Sequence, residues 1–206
     1  MNAPDKFLDT AVVPTATGHS HPHESARAQV AGRATYIDDM VELKGTLHAA
    51  PILSNVAHGK LLGVDAGEAL GMPGVRSVLL AADIPGDPIL ATFMHDEPIF
   101  SVDKVEHIGQ VVGLVVADTV MQARRAARLV QLDVEPLPAV LDVREAHAKR
   151  SYVLPPVTVR RGEPEAALAR APHKLSGQLE VGGQEHFYLE GQVAYALPLE
   201  QDQWWI

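Results

Sequence analysis

The chain has 206 residues, 47% of them hydrophobic and 21% charged, and no Cys. That length holds one full domain and part of a second, with a core that needs no covalent staples. The absence of Cys excludes disulfides, Cys-ligated zinc, iron–sulfur clusters held by this chain, and thiol catalysis. A formal charge of −9 and an aromatic content of 5% speak against a nucleic-acid partner. No run reaches about 18 apolar residues, the length of a membrane span. The first residues lack the apolar core of a signal peptide. The composition reads as a cytoplasmic protein with no membrane partner.

Residues 1–24 are rich in Ala, Thr and Pro, show no hydrophobic period and read as a flexible arm. Thr46–Leu53 and His58–Val64 read as short strands. Asp65 with Glu68 three positions on is a capping-box variant for a short helix closed by Pro73-Gly74, and Val75–Leu80 follows as a strand. The clearest unit lies between Gly109 and Pro136. Val111–Ala117 is a β-branched run of buried-strand type, and Asp118 or Thr119 can cap the next helix. On that helix Val120, Ala123, Ala127 and Val130 share the inward face, with Arg124, Arg125 and Arg128 opposite. Val130, Leu132 and Val134 then alternate with polar residues as a half-buried strand.

Residues 136–160, with Pro136, Pro138, Pro155 and Pro156, read as a surface connection. Pro164 sits in the first turn of a short helix that Pro172 stops. Leu175, Leu179 and Val181 alternate with polar residues toward Gly182-Gly183, which predicts a strand, and Val193–Leu197 predicts another. Glu200–Gln203 is a polar turn before Trp204-Trp205-Ile206. An apolar ending of this kind suggests a body cut short, whose continuation would cover the tryptophans.

His19, His21 and His23 could converge on a metal, but a His-rich tail without a structured backbone is the better reading. Asp38-Asp39 reads as a solvated turn. His186 stands between Glu185 and Glu190, and on a helix His186 and Glu190 would share a face; the plainer reading makes Phe187, Tyr188 and Leu189 core with charges flanking them. Gly182-Gly183 before Gln184 could let the backbone approach an oxygen-rich ligand that the carboxamide grips, although from the residues alone a plain turn is the better reading. There is no Gly-rich phosphate loop and no nucleophile elbow.

Taken together, His23-Glu24-Ser25-Ala26 with Gly32–Asp39, the stretch Gly109–Ala117 with its Ala-rich helix, and Gly182–Glu190 resemble, in order, the large molybdenum-binding subunit of the xanthine dehydrogenase/aldehyde oxidase family. The resemblance implies an α+β fold: an a/b hammerhead domain with a βαβ unit over 25–150, then the first strands and helix of a truncated molybdopterin-binding domain over 151–206. It implies a molybdenum hydroxylase that takes its oxygen from water, with hypoxanthine and xanthine, oxidised to urate, as substrates. Its metal would carry oxo, sulfido and hydroxyl ligands on a pyranopterin, with FAD and [2Fe–2S] clusters on other subunits. The implied partners are the rest of the molybdenum subunit and the FAD/iron–sulfur subunit, in an oligomer.

By the same resemblance Gln184 matches the residue that hydrogen-bonds the molybdenum oxo ligand, with Gly183 and Phe187 around it. No catalytic residue and no direct metal ligand is assigned within these residues. The family's general base and substrate-orienting residues would lie downstream, so the piece alone is expected to be inactive. Two alternatives stand beside this reading. One is a piece of an aldehyde oxidase-like or other N-heterocycle hydroxylase; the other is a self-standing, non-catalytic α+β interaction or scaffold module.

Overall fold

Glycine and proline punctuate the chain into short elements. The computed structural model describes residues 18–92, 94–188 and 190–206. In chain order they form α1 (Ala26–Val30), β1 (His48–Leu53), β2 (Gly59–Asp65), α2 (Gly67–Leu70), β3 (Val75–Leu80), β4 (Ile89–Ala91), β5 (His95–Pro98) and β6 (Lys104–Val105). There follow β7 (Val111–Ala117), α3 (Val120–Ala127), β8 (Gln131–Pro136), α4 (Val143–Lys149), α5 (Pro164–Arg170), β9 (Leu197–Pro198) and β10 (Trp204–Trp205), with 3-10 turns at Ile37–Asp39 and Ala81–Asp83. The mixed α+β class is as expected. The chain divides into two compact units, Leu43–Leu179 and the residues up to Glu42 together with Glu180–Ile206.

In the unit 43–179 the β-branched strand β7 lies at the centre of an antiparallel sheet ordered β1-β7-β3, and a second antiparallel sheet runs β6-β2-β8. The core joins Ile52, Val105, Val112 and Val115, all fully buried, with Ala69, Ala126 and Val130. Each such Val or Ile contributes about 1.5–3 kcal/mol by leaving water. Gly113, in register with Ile52 on one side and Leu80 on the other, has no room for a side chain. Pro51 sits in β1, which among the described residues is an edge strand paired only with β7, where a missing N–H is tolerated.

The expected strand–helix–strand forms, but its strands join different sheets: β7 belongs to the first and β8 to the second. Ala123 and Ala126 are buried to zero exposure, and Ala123 packs with Ala50 and Ala117. Ala126 therefore takes the inward place expected of Val120, which opens the helix and is 41% exposed. Arg124, Arg125 and Arg128 face solvent as expected. Of the two candidate caps, Thr119 serves: its Oγ1 accepts from the Gln122 N–H at 3.2 Å. Asp118 is held by Arg76, whose Nε and Nη2 donate to the two carboxylate oxygens at 2.7 and 3.0 Å. That fork raises the Arg76 pKa above its ordinary value, through the hydrogen bond first and the charge second. Asp65 likewise receives the Gly67 N–H at 2.9 Å, although Ala66 is the capping position of α2.

Three expectations need correction. Residues 136–160 contain a helix, α4, capped by Asp142 accepting from the Arg144 and Glu145 N–H groups, both at 2.9 Å. No strand forms over 174–181: Leu175, Leu179 and Val181 are exposed, and among the described residues none pairs with them as a strand. Alternation alone cannot hold an extended segment that lacks a neighbour. The strand expected at Val193–Leu197 pairs only from Leu197, where β9 meets β10 in antiparallel register. Gln201 and Asp202, both at positive φ, make the tight turn between them. The outer elements missed altogether are α1, the hairpin β4–β5 and the short strand β6.

In the unit containing Glu42 and Glu180, α1 and the 37–39 turn come from the N-terminal side, and the β9–β10 hairpin from the C-terminal side. Trp204 and Trp205 are 62% and 46% exposed. Most of the expected arm, residues 1–17, lies outside the described residues.

Candidate functional site

The stretch 182–190 carries the candidate ligand-gripping residues and forms neither helix nor strand among its described residues. Neither Gly182 nor Gly183 takes positive φ, and a Cβ built on either meets nothing within 4 Å. The backbone there is therefore openly approachable from outside. Gln184 is exposed, and among the described residues its Nε2 donates only to the Gly183 carbonyl at 3.4 Å, a long and weak bond. Its carboxamide remains available to a stronger acceptor. The unusual backbone falls instead on Phe187, at φ 48° and 92% exposed, with its N–H donating to Glu185 Oε1 at 3.4 Å. Phe187 and Tyr188 are exposed, so the reading of these aromatics as core does not hold. Further along, Gln192 Nε2 donates to the Tyr188 hydroxyl at 2.7 Å.

Glu190 behaves differently. It is partly buried, and its Oε1 accepts the Ile37 N–H at 3.1 Å. One residue earlier in the turn, the Tyr36 N–H donates to Asp39 Oδ2 at 3.0 Å. Asp39, the last residue of the turn, is thus engaged with its own turn, its carboxylate reaching back to the capping position. The bond from Glu190 links two of the sequence stretches singled out above, Gly32–Asp39 and Gly182–Glu190. Glu190 and His186 share no helix, because none forms there.

The histidines near the N-terminus do not gather around a common point. His23 Nδ1 bonds the Ser25 hydroxyl at 2.9 Å, while His19 and His21 stack edge to face at 6.1 Å. Among the described residues no three His, Asp or Glu side chains are placed to hold a metal. A cleft of about 540 Å³ opens on the unit 43–179, lined by Ala50, Ile52, Arg124, Arg128 and Val130 among others. It contains none of the residues of the Gln184 stretch. No helix among the described residues is long and apolar enough to cross a membrane.

Comparison with known proteins gives these stretches a family. Residues 31–138 match the family model described as aldehyde oxidase and xanthine dehydrogenase, a/b hammerhead domain, and residues 144–206 match that of the molybdopterin cofactor-binding domain. The chain belongs to the xanthine dehydrogenase/aldehyde oxidase family, with a hammerhead domain followed by the start of a molybdopterin-binding domain. It is 38% identical over 181 residues to the xanthine dehydrogenase/oxidase of Mus musculus, and 41% identical over 179 residues to xanthine dehydrogenase 1 of Arabidopsis thaliana. These alignments span 88% and 85% of this chain but 14% and 13% of the relatives. Among solved structures, the aldehyde oxidoreductase of Desulfovibrio gigas matches with a TM-score of 0.55 and 37% identity, over 61% of this chain and 15% of that one.

Proposed function

We propose that this chain forms the N-terminal region of the molybdenum-binding subunit of a hydroxylase acting on a purine such as hypoxanthine or xanthine in the cytoplasm. Within it, Gln184, Gly183 and Phe187 would contact the cofactor. The observation that carries the reading is Gln184 itself: an exposed carboxamide with one weak local bond, beside two glycines that leave the backbone open. That donor suits an oxygen ligand, and the unobstructed backbone suits a close approach. When bound, the molybdenum–pterin group supplies the oxidation of a substrate carbon, with water as the oxygen source. The chain's part is to hold an N–H donor at a fixed point near that group. Electrons would pass to [2Fe–2S] clusters and FAD on a partner subunit. The xanthine dehydrogenases among the relatives support the purine substrate.

The likeness to an aldehyde oxidoreductase favours a second reading, in which the same residues serve an aldehyde. An exposed carboxamide alone does not retain a pterin, which needs many converging contacts, so we expect no turnover from these residues by themselves. The test is Gln184→Ala in the complete, cofactor-loaded subunit with its partners. Turnover should fall about 10- to 100-fold with melting temperature unchanged, as for a donor oriented toward a metal-bound group. Unchanged turnover overturns the assignment. Relative kcat/KM for xanthine and for an aldehyde decides between the substrates.

A further inference from the structure

Gln184 can act only if something fixes the stretch that carries it, and its own surroundings do not. The glycines before it touch nothing within 4 Å of a built Cβ. The hydrogen bonds of the described residues 182–188 all stay local, from Gln184 to Gly183, Phe187 to Glu185, and Gln192 to Tyr188. Among the described residues of the stretch, Glu190 bonds outside it: its Oε1 accepts the Ile37 N–H at 3.1 Å across a separation of 153 residues. Between Gln184 and Glu190 the left-handed Phe187 turns the chain, so its course is not that of a simple extended tether. Glu190 is half-buried, whereas residues 182–188 and Gly191 are exposed.

We propose that Glu190 is a positioning residue: by accepting the Ile37 N–H it anchors the 182–190 stretch to the 37–39 turn and so fixes where Gln184 presents its carboxamide. This rests on the cofactor-contacting reading of Gln184. The anchor needs an acceptor oxygen at this place; the carboxylate's charge strengthens the bond, but the neutral peptide N–H does not require it. Glutamine keeps an acceptor oxygen at the same reach, whereas alanine leaves the N–H without one.

The experiment uses four variants of the complete holoenzyme, Glu190→Ala, Glu190→Gln, Gln184→Ala and the double Gln184→Ala/Glu190→Ala, together with amide hydrogen exchange at Ile37 in the present chain. Glu190→Ala should speed exchange at Ile37 and lower kcat about 10-fold with KM unchanged, as positioning partners of metal-site groups do. Glu190→Gln should restore both. The double variant should be no slower than Gln184→Ala, since an anchor acting through Gln184 has nothing left to position. Additive losses in the double variant, equal losses in Glu190→Ala and Glu190→Gln, or unchanged exchange at Ile37 overturn the proposal. If Gln184→Ala impairs turnover and Glu190→Ala does not, the anchor fails while the reading of Gln184 stands. If Gln184→Ala is itself without effect, that reading fails first, and the Ile37 exchange alone reports on the contact.

Discussion

Replacing Gly113 by Ala tests how tightly the centre of the hammerhead unit is packed. Gly113 is buried in β7 between its register partners Ile52 and Leu80. A Cβ added there would lie 2.5 Å from the Leu79 carbonyl oxygen and 2.7 Å from Leu80 Cδ2, with Ile52 Cδ1 at 3.4 Å. The first contact is about 1 Å inside optimal van der Waals separation. It is also with a backbone atom of a hydrogen-bonded strand, which cannot rotate away as a side chain can. Overpacking of this kind costs about 3 kcal/mol. Against it, removing a glycine from a strand returns roughly 0.5–1 kcal/mol of conformational entropy. The net expectation is a loss of about 2 kcal/mol, or a fall of about 6–8 °C in melting temperature for a unit of this size. Scanning calorimetry and urea denaturation of the chain measure it. Gly63→Ala in β2 is the control, because its built Cβ meets nothing within 4 Å and its φ is ordinary; it should be neutral or slightly stabilising. A Gly113→Ala chain that melts within 1 °C of its parent would refute the reasoning, for it would mean that β3 and β7 separate at little cost.

Two further outcomes are expected. Ala123→Leu, at a position with no exposure packed on Ala50 and Ala117, should destabilise by roughly 1–3 kcal/mol through overpacking, read as a lower urea midpoint with unchanged slope. Asp87 accepts the Ile89 N–H at 3.0 Å and pairs with His95 Nε2 at 2.8 Å, and these bonds, in that order, hold its carboxyl below the ordinary 3.8. A depressed carboxylate pKa contributes stability above the ordinary value and loses it as pH falls through the folded value. Amide protection of the β4–β5 hairpin should therefore hold from neutrality to about pH 4 and decline below it. A decline already complete at about pH 5 would point to a different group.

What the residues disclosed in advance follows from how local the forces were. The β-branched run of β7 and a cap at Asp118 or Thr119 report themselves, because burial period and capping are properties of a few adjacent side chains. Val120 is half exposed and Ala126 buried because helix phase near a first turn is settled by the sheet beneath it. The helix α4 hid among prolines, although Asp142 as a cap and Glu145 with Lys149 four residues on, bonded at 2.6 Å, were signals of it. At the candidate site the Gly-Gly-Gln pattern suggests ligand chemistry from sequence alone, whereas the positive φ of Phe187 leaves no mark there. Nor was the bond from Glu190 to Ile37, since no local pattern marks a partner at that separation.

Pro51 bears on how this molecule meets its own copies. Sheets grow by recruiting a neighbour's strand along an open side, and each recruited residue asks for amide protons at regular intervals. Among the described residues no strand covers the outer side of β1, and there that sequence of donors is interrupted in mid-strand, while Leu53 on the same strand stands half exposed. The proline thus lets an apolar margin remain without making it a template for filament growth, and replacing it by valine would supply the missing donor.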